Sequence, residues 1–259
     1  MVEEARSLIR QGDMFQCVLS QRFSAEYSGR PLDYYRNLRV TNPSNYLYFY
    51  DFGDYQIIGA SPESLVSVKQ GQVTTNPIAG TRPRGQDERE DKALAEELLA
   101  DEKEVAEHRM LVDLGRNDIG KIAQNNSVEV TKYMEVEYFR YVMHLTSVVR
   151  GQLLPQLTAM DALKSTLPAG TVSGAPKIRA MKRIYELEQE KRGAYAGAIG
   201  YLSATGDMDF AIAIRTMILK NGRAYVQAGA GIVYDSIPTN EYQETINKAK
   251  SMTKIGEMQ

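Results

Sequence analysis

At 259 residues, 43% hydrophobic and 25% charged, the chain has ordinary globular composition and enough apolar side chains for a substantial core. A formal net charge of −2 gives no basic footprint for nucleic acid or an anionic membrane, and no apolar run reaches the ~18 residues that a membrane span needs. The N-terminus, MVEEARSLIRQGD, is acidic and amphipathic rather than a secretory signal, and a lone Cys17 excludes an intrachain disulfide; a soluble, cytoplasmic protein is expected.

Residues 2–10 read as a short helix stopped by Gly12. Alternation over 15–23 (FQCVLSQRF) predicts a strand with Cys17 buried and inert, and 32–40 predicts a helix. Residues 46–52, 56–58, 65–68 and 72–78 are short β runs with turn signals at Gly53-Asp54 and Gln70-Gly71, and read as one antiparallel meander. A polar loop, TRPRGQDERED, leads into a long helix. There Leu94, Leu98, Val105, Leu111 and Leu114 keep the three- and four-residue offsets of a buried stripe. Residues 127–130 and 138–149 return to strand. Helices follow over 159–167 and 176–190, with Pro176 suited to a first turn. Three β runs, 194–202, 209–220 and 223–233, come next, the last two joined by a hairpin signal at Asn221-Gly222. A final helix runs from Glu241 to the end. The pattern predicts an α+β fold with antiparallel sheets and helices packed outside them, in a single domain over 1–259 without linker or repeat.

Two pairs of carboxylates stand out. Glu104 and Glu107 lie three residues apart and project side by side from one helix face. If that face is buried, something positive must sit between them. Glu241 and Glu244 repeat the arrangement near the other end, with Lys248 one turn later. Two such helices make an all-oxygen site for a hard divalent cation, with Mg2+ the first choice. In 209–220 the core face holds Phe210, Ile212, Ile214 and Ile218, and the other face Ala211, Ala213 and Arg215. A guanidinium flanked by alanines has room to fork a carboxylate, although sheets also carry arginines on a solvated face. In 223–233 the core face holds Val226, Ala228, Ala230 and Ile232. The opposite face holds Gln227, Gly229 and Gly231, and strand glycines mark close approach to a ligand that their amides can hold. Tyr195 shares a face with Gly197, Ile199 and Tyr201, and is either a hydroxyl donor or an amphipathic packing residue.

His108 points about 100° away from Glu107 and reads as structural. His144, among Val142, Thr146 and Val148, reads from its strand alone as a satisfied core histidine. Three loops add to the set. Ser61-Pro62-Glu63 places a carboxylate after a turn, where it can act as a general acid. NPIAGTRPRG at 76–85 fits an anion-binding turn. AGTVSGAPK at 169–177 runs into a helix N-terminus, a second anion site. Neither a Walker motif nor a dinucleotide fingerprint is present. The residues by themselves describe a Mg2+-dependent enzyme acting on a small polycarboxylate.

Nine stretches, in order along nearly the whole chain, carry a resemblance: GDMFQCVLSQRF, GASPESLV, PIAGTRPRG, DEKEVAEHRMLVDLGRND, LPAGTVSGAPKIRAMKRI, YAGAIGY, AIAIRT, QAGAGIV and EYQETINKA. They closely resemble the chorismate-utilising enzymes, and within them the catalytic half of the anthranilate-forming branch. The resemblance implies an α/β sandwich of two mostly antiparallel sheets with helices outside. It implies a lyase of tryptophan biosynthesis that converts chorismate and ammonia to anthranilate and pyruvate with Mg2+. It casts Glu107 and Glu244 as direct metal ligands, with Glu104 and Glu241 beside them. Arg215, Tyr195 and the amides around Gly229, Ala230 and Gly231 match the grip on the enolpyruvyl carboxylate, and Lys248 assists at the ring carboxylate. Glu63 matches the acid that protonates the departing ring hydroxyl, and His144 the histidine implicated in expelling pyruvate. Gly80, Thr81 and Thr171 line the pocket.

Two positions separate the branches. Where isochorismate- and salicylate-forming relatives carry a lysine that activates water, this chain has Gln16, which is no base. Where aminodeoxychorismate synthases carry a lysine nucleophile, it has Ala79. The attacking group is therefore expected to be free ammonia, delivered in the natural complex by a glutamine amidotransferase subunit. The family's N-terminal region is represented only by the helix before GDMFQ, and NPSPYM reads NPSNYL at 42–47, so feedback by tryptophan is not expected. The alternatives are a relative that stops at an aminodeoxyisochorismate- or aminodeoxychorismate-type product, and a catalytically silent chorismate-binding module.

Overall fold

The computed structural model describes residues 1–253; the tail of the expected last helix, 254–259, lies outside the described residues. In chain order the elements are α1 (Val2–Arg10), β1 (Gln16–Glu26), α2 (Pro31–Thr41), β2 (Tyr46–Asp51), β3 (Tyr55–Ser61), β4 (Ser64–Lys69), β5 (Gln72–Thr75), β6 (Ile78–Pro83), α3 (Glu88–Ala100), α4 (Glu102–Gly120), β7 (Glu129–Tyr138) and β8 (Val142–Gln152). Then come α5 (Ala159–Thr166), a 3-10 turn (Gly170–Val172), β9 (Gly174–Ala175), α6 (Lys177–Leu187), β10 (Ala198–Leu202), β11 (Met208–Ile212), β12 (Thr216–Lys220), β13 (Arg223–Ile232) and α7 (Pro238–Thr253). The α+β expectation, with antiparallel sheets and helices, holds. No helix among the described residues is long and apolar enough to cross a membrane.

The strands form two sheets, and the chain divides into two compact units. The first unit comprises Met1–Glu63, Pro168–Ile199 and the described part of Ala211–Gln259. Its sheet has the order β2-β3-β12-β13-β1-β9. β1 runs antiparallel to β13 over the whole of Cys17↔Ile232 to Glu26↔Arg223. Alternation in β13 buries Val226, Ala228, Ala230 and Ile232 as expected. Val226 and Ala228 join Leu38 of α2, Ile58 of β3, Met217 of β12 and Met252 of α7 in one core cluster. Ile232 joins Cys17, Leu19, Ala5 of α1 and Ile184 and Leu187 of α6 in another. Cys17 is fully buried, and burial pushes its thiol up to about 12, so it is inert as expected. The position of α7 is fixed by Tyr34, whose hydroxyl donates to the Met252 carbonyl at 2.6 Å, and by Gln21, which donates to Thr245 at 2.5 Å.

The second unit comprises Ser64–Leu167 and Gly200–Phe210. Its strands belong to a sheet of order β10-β11-β4-β5-β8-β6, with β7 also paired to β8. Leu98, Met143 and Leu145 centre its helix-on-sheet core.

Several boundaries differ from the sequence reading. The expected meander is two separate pairs: β2 and β3 pair in the first sheet, β4 and β5 in the second. The run 72–78 is two strands, each paired to β8. The single helix expected through Leu94 and Leu114 breaks at Asp101. That residue has an extended ψ of 102° and caps α4 by accepting from the Lys103 and Glu104 amides. The stripe persists across the break because both halves pack on apolar neighbours. Residues 127–130 and 138–149 are the edges of one long hairpin, β7 and β8. Pro176 is the N-cap of α6 rather than part of its first turn. The run 194–202 is strand only from Ala198, and 209–220 splits into β11 and β12, which belong to different sheets.

Candidate active site

In the first unit the chain turns sharply where β11 gives way to β12. Arg215 sits at that turn with a left-handed φ of 50°, not on a strand face beside Ala211 and Ala213 as expected. The turn places the half-buried guanidinium in an open cleft of about 510 Å³, lined also by Asn240, Gln243, Glu244, Asn247, Lys248 and Ser251. Burial lowers the Arg215 pKa; the charges of Tyr195, Glu63 and Glu244 oppose that shift. The α7 residues of this lining recur at helical spacing on one face, a polar stripe the sequence reading used only at Glu244 and Lys248.

Lys248 donates to the Gly229 carbonyl at 3.0 Å and pairs with Glu244 at 2.5 Å. Glu244 is otherwise exposed, and Glu241 one turn earlier is half-buried. The Tyr195 side chain stands over the glycine strand: a Cβ at Gly229 would meet its hydroxyl at 2.6 Å and the Leu19 carbonyl at 3.0 Å. Tyr195 is 9% exposed, and burial pushes its phenol up to about 12, so it remains a donor. It lies in the turn before β10, where Ala196 has a φ of 64°, and not on a strand face with Ile199 and Tyr201. Gly231 faces Gln16, whose amide nitrogen lies 2.7 Å from where a Cβ would stand. Gln16 is 6% exposed and its amide oxygen has no hydrogen-bond partner. Ala230, between the two glycines, is buried on the core side.

Glu63 follows β3, and its carboxylate accepts from the Thr171 hydroxyl at 2.7 Å. Thr171 belongs to the 3-10 turn, and the 169–177 stretch runs on into the N-terminus of α6 at Lys177 as expected. Burial drives the Glu63 pKa up to about 6; the Thr171 bond and the charges of Arg215 and Lys248 pull the other way without cancelling it. A carboxyl so placed is half protonated near pH 6 and keeps a protonated fraction toward neutrality, which suits a general acid. The first unit thus brings Glu63, Thr171, Arg215 and Lys248 into electrostatic reach of one another, with Tyr195, Gly229, Gly231 and Gln16 on the adjoining strands.

In the second unit, β6 carries a bulge between Ala79 and Thr81, and Gly80 occupies it with a φ of 67°. A Cβ at Gly80 would lie 3.4 Å from a Glu104 carboxylate oxygen. His144 Nδ1 is 3.0 Å from the Gly80 carbonyl and 3.1 Å from the Thr81 hydroxyl. The ring is half-buried and edge-on to Phe139, with centroids 5.5 Å apart. His108, by contrast, is wholly buried and tied to Ser147 at 2.6 Å, in keeping with its structural reading. Beside Glu104 the structure places Arg82, 3.8 Å away. Arg82 also pairs with Asp101 at 2.8 Å and Glu97 at 3.1 Å, and Arg84 is spent on Asp91 and the Phe139 carbonyl. The arginines of the 76–85 loop are therefore bracing, not an anion trap. Glu104 and Glu107 are both half-buried on α4.

Among the described residues no group of three or more His, Cys, Asp or Glu side chains gathers closely enough to hold a metal unaided. Mg2+ characteristically takes one or two carboxylates and completes its shell with water and substrate oxygens. The paired glutamates of α4, and those of α7, fit that chemistry; they do not fit an ion enclosed by protein alone.

A family model described as chorismate binding enzyme matches residues 1–254. The chain is 64% identical over 256 residues to anthranilate synthase component 1 of Lactococcus lactis, covering 99% of this chain and 56% of that protein. It superposes on the crystal structure of anthranilate synthase component I from Streptococcus pneumoniae with a TM-score of 0.91 and 83% identity, covering 97% of this chain and 56% of that one. The menaquinone-specific isochorismate synthase of Escherichia coli gives a TM-score of 0.88 at 27% identity, over 98% of this chain and 59% of that one. The chain spans about half the length of the curated relatives it matches. Matched end to end by the family's signature and by its fold, the chain belongs to the chorismate binding enzyme family.

Proposed function

We propose that this chain is the catalytic part of an anthranilate synthase, converting chorismate and ammonia to anthranilate, pyruvate and water. The observation that carries the reading is Glu63: a half-buried carboxyl whose pKa desolvation raises to about 6, hydrogen-bonded to Thr171, within the field of Arg215 and Lys248. Protonated Glu63 gives its proton to the departing ring hydroxyl, and ammonia adds to the ring as its own nucleophile. Gln16 in place of a basic lysine disfavours water as the attacking group. Arg215, with the Tyr195 hydroxyl and the amides of Gly229 to Gly231, grips one carboxylate of the substrate, and Lys248 serves the other. His144 assists loss of pyruvate. Mg2+ held by the glutamates of either pair, Glu104–Glu107 or Glu241–Glu244, would supply Lewis-acid polarisation of a substrate carboxylate. The names of the relatives support the anthranilate product, and the designation "component 1" supports a second, amidotransferase subunit as the natural ammonia source.

The test is to incubate the purified chain with chorismate, ammonium chloride and Mg2+ and to record anthranilate fluorescence. Activity is expected with ammonium, is lost on chelation and returns with Mg2+; glutamine alone gives none. A product whose mass retains the enolpyruvyl group would favour the aminodeoxychorismate-type alternative. Binding of chorismate without any turnover would favour the silent module.

A further inference from the structure

Glu188 and Arg192 form a pair four residues apart just beyond the end of α6, with side chains only 6% and 18% exposed. Burying two charges is costly unless every donor and acceptor is used. Here they are used. Glu188 accepts from the Ser20 amide and hydroxyl, both at 2.8 Å, and from Arg192 Nε at 2.8 Å and an Nη at 2.6 Å. Arg192 also donates to the Val172 carbonyl at 2.6 Å and to the Val18 carbonyl at 2.7 Å. An apolar pair of similar size would hold α6 to β1 about as well, so cohesion alone does not account for this one.

Its bonds end on parts of the proposed site. Val172 closes the 3-10 turn that carries Thr171, the donor to Glu63. The guanidinium lies 5.5 Å from the centroid of the Tyr195 ring, whose hydroxyl stands against Gly229. Val18 and Ser20 are the register partners of Gly231 and Gly229. Neither charged residue lines the cleft itself. We infer that Arg192, locked by Glu188, is a positioning residue that holds the Thr171 turn against Glu63 and the Tyr195 ring over the glycine strand. The inference rests on the reading of Glu63 as the acid.

Carbon-13 NMR titration of the glutamate carboxyls in the 259-residue chain, with Glu63 assigned by its loss in Glu63→Gln, follows the Thr171 bond without any turnover. Losing a bond to the carboxylate moves its titration upward, so Thr171→Val shifts Glu63 up. Arg192→Met is expected to shift it in the same direction by a comparable amount and to lower kcat about 10- to 100-fold, the cost of a small misplacement. Arg192→Lys, which keeps the charge without the fork, restores only part of either. If Thr171→Val leaves Glu63 where it was, or if both Arg192 variants melt earlier while Glu63 titrates as in the parent, the inference is overturned. Should Arg192→Met fail to fold, Arg192→Lys decides by the same titration. A parent chain that makes no anthranilate refutes the proposed function, and the titration still decides the role of Arg192.

Discussion

The Thr171 hydroxyl and the Glu63 carboxylate meet at 2.7 Å although the residues lie far apart in the chain. That bond steadies a charge that burial opposes, and burial prevails: the Glu63 pKa stands near 6 against an ordinary value of 4.5. A raised carboxyl pKa means that the folded state binds the proton more tightly than the unfolded chain. The stability this group contributes is complete below pH 4.5 and is lost as pH rises through about 6. Glu63→Gln is therefore expected to stabilise the chain at pH 7 by on the order of 1–2 kcal/mol, with no gain at pH 4, in urea titrations at the two pH values. The same variant should lose about 100-fold or more in kcat with ammonium as the nitrogen source.

Arg215 presents the opposite bargain of stability and function. Its guanidinium is desolvated, which lowers its pKa, while its side chain projects into the cleft. Arg215→Met removes that desolvation cost and is expected to raise the melting temperature. The KM for chorismate should rise about 100-fold. Arg215→Lys keeps the charge but not the planar fork, and should recover little of the loss.

The two glycines of β13 differ in what crowds them. An added Cβ at Gly229 meets the backbone carbonyl of Leu19 as well as the Tyr195 hydroxyl. One at Gly231 meets only the far end of the flexible Gln16 side chain within ordinary contact distance. Gly229→Ala should thus destabilise by roughly 1–3 kcal/mol, the usual cost of overpacking, and abolish turnover. Gly231→Ala should fold nearly as well as the parent. Denaturation midpoints and steady-state kinetics of the two variants check the ranking.

Ser147 carries two structural bonds: its hydroxyl oxygen accepts from the Met134 amide at 2.8 Å and is hydrogen-bonded to His108 Nε2 at 2.6 Å. Ser147→Ala strands both groups in a buried setting, and a loss of about 1–3 kcal/mol is expected. Burial holds His108 down near pH 4, below its ordinary value of 6.5. The folded state therefore binds that proton more weakly, and stability present above 6.5 is lost as pH falls toward 4. His108→Gln should flatten that part of the stability profile, measured by urea titration between pH 7 and 4.

Element types were legible because period-2 and period-3.6 patterns are strong in this chain. Sheet membership was not. Alternation tells which side of a strand is apolar but not which neighbour it pairs with, so β3 and β4 read as one meander and β11 and β12 as one strand. The turn at Arg215 has no glycine or proline to announce its left-handed backbone. The break at Asp101 did have a signal, a capping aspartate followed by Glu104, but the continuous leucine stripe masked it. Tyr195, Arg215 and the β13 glycines stood out because reactive side chains beside small residues are unusual, Glu63 because it follows a turn, and Lys248 because it stands one helical turn after Glu244. Arg192 and Glu188 were missed because an arginine four residues after a glutamate looks like any solvated helix pair.

The register of β1 has a consequence for synthesis. Gln16 and Cys17 pair with Ala175 and Gly174 on one flank, and the rest of the strand zips to β13 from Ile232 to Arg223 on the other. A ribosome releases β1 long before either partner exists. β1 must wait, edges bare, until β9 and then β13 have emerged. The nascent chain is then a natural client for a holding chaperone, and any stall before the codons of β13 leaves β1 with an unpaired edge.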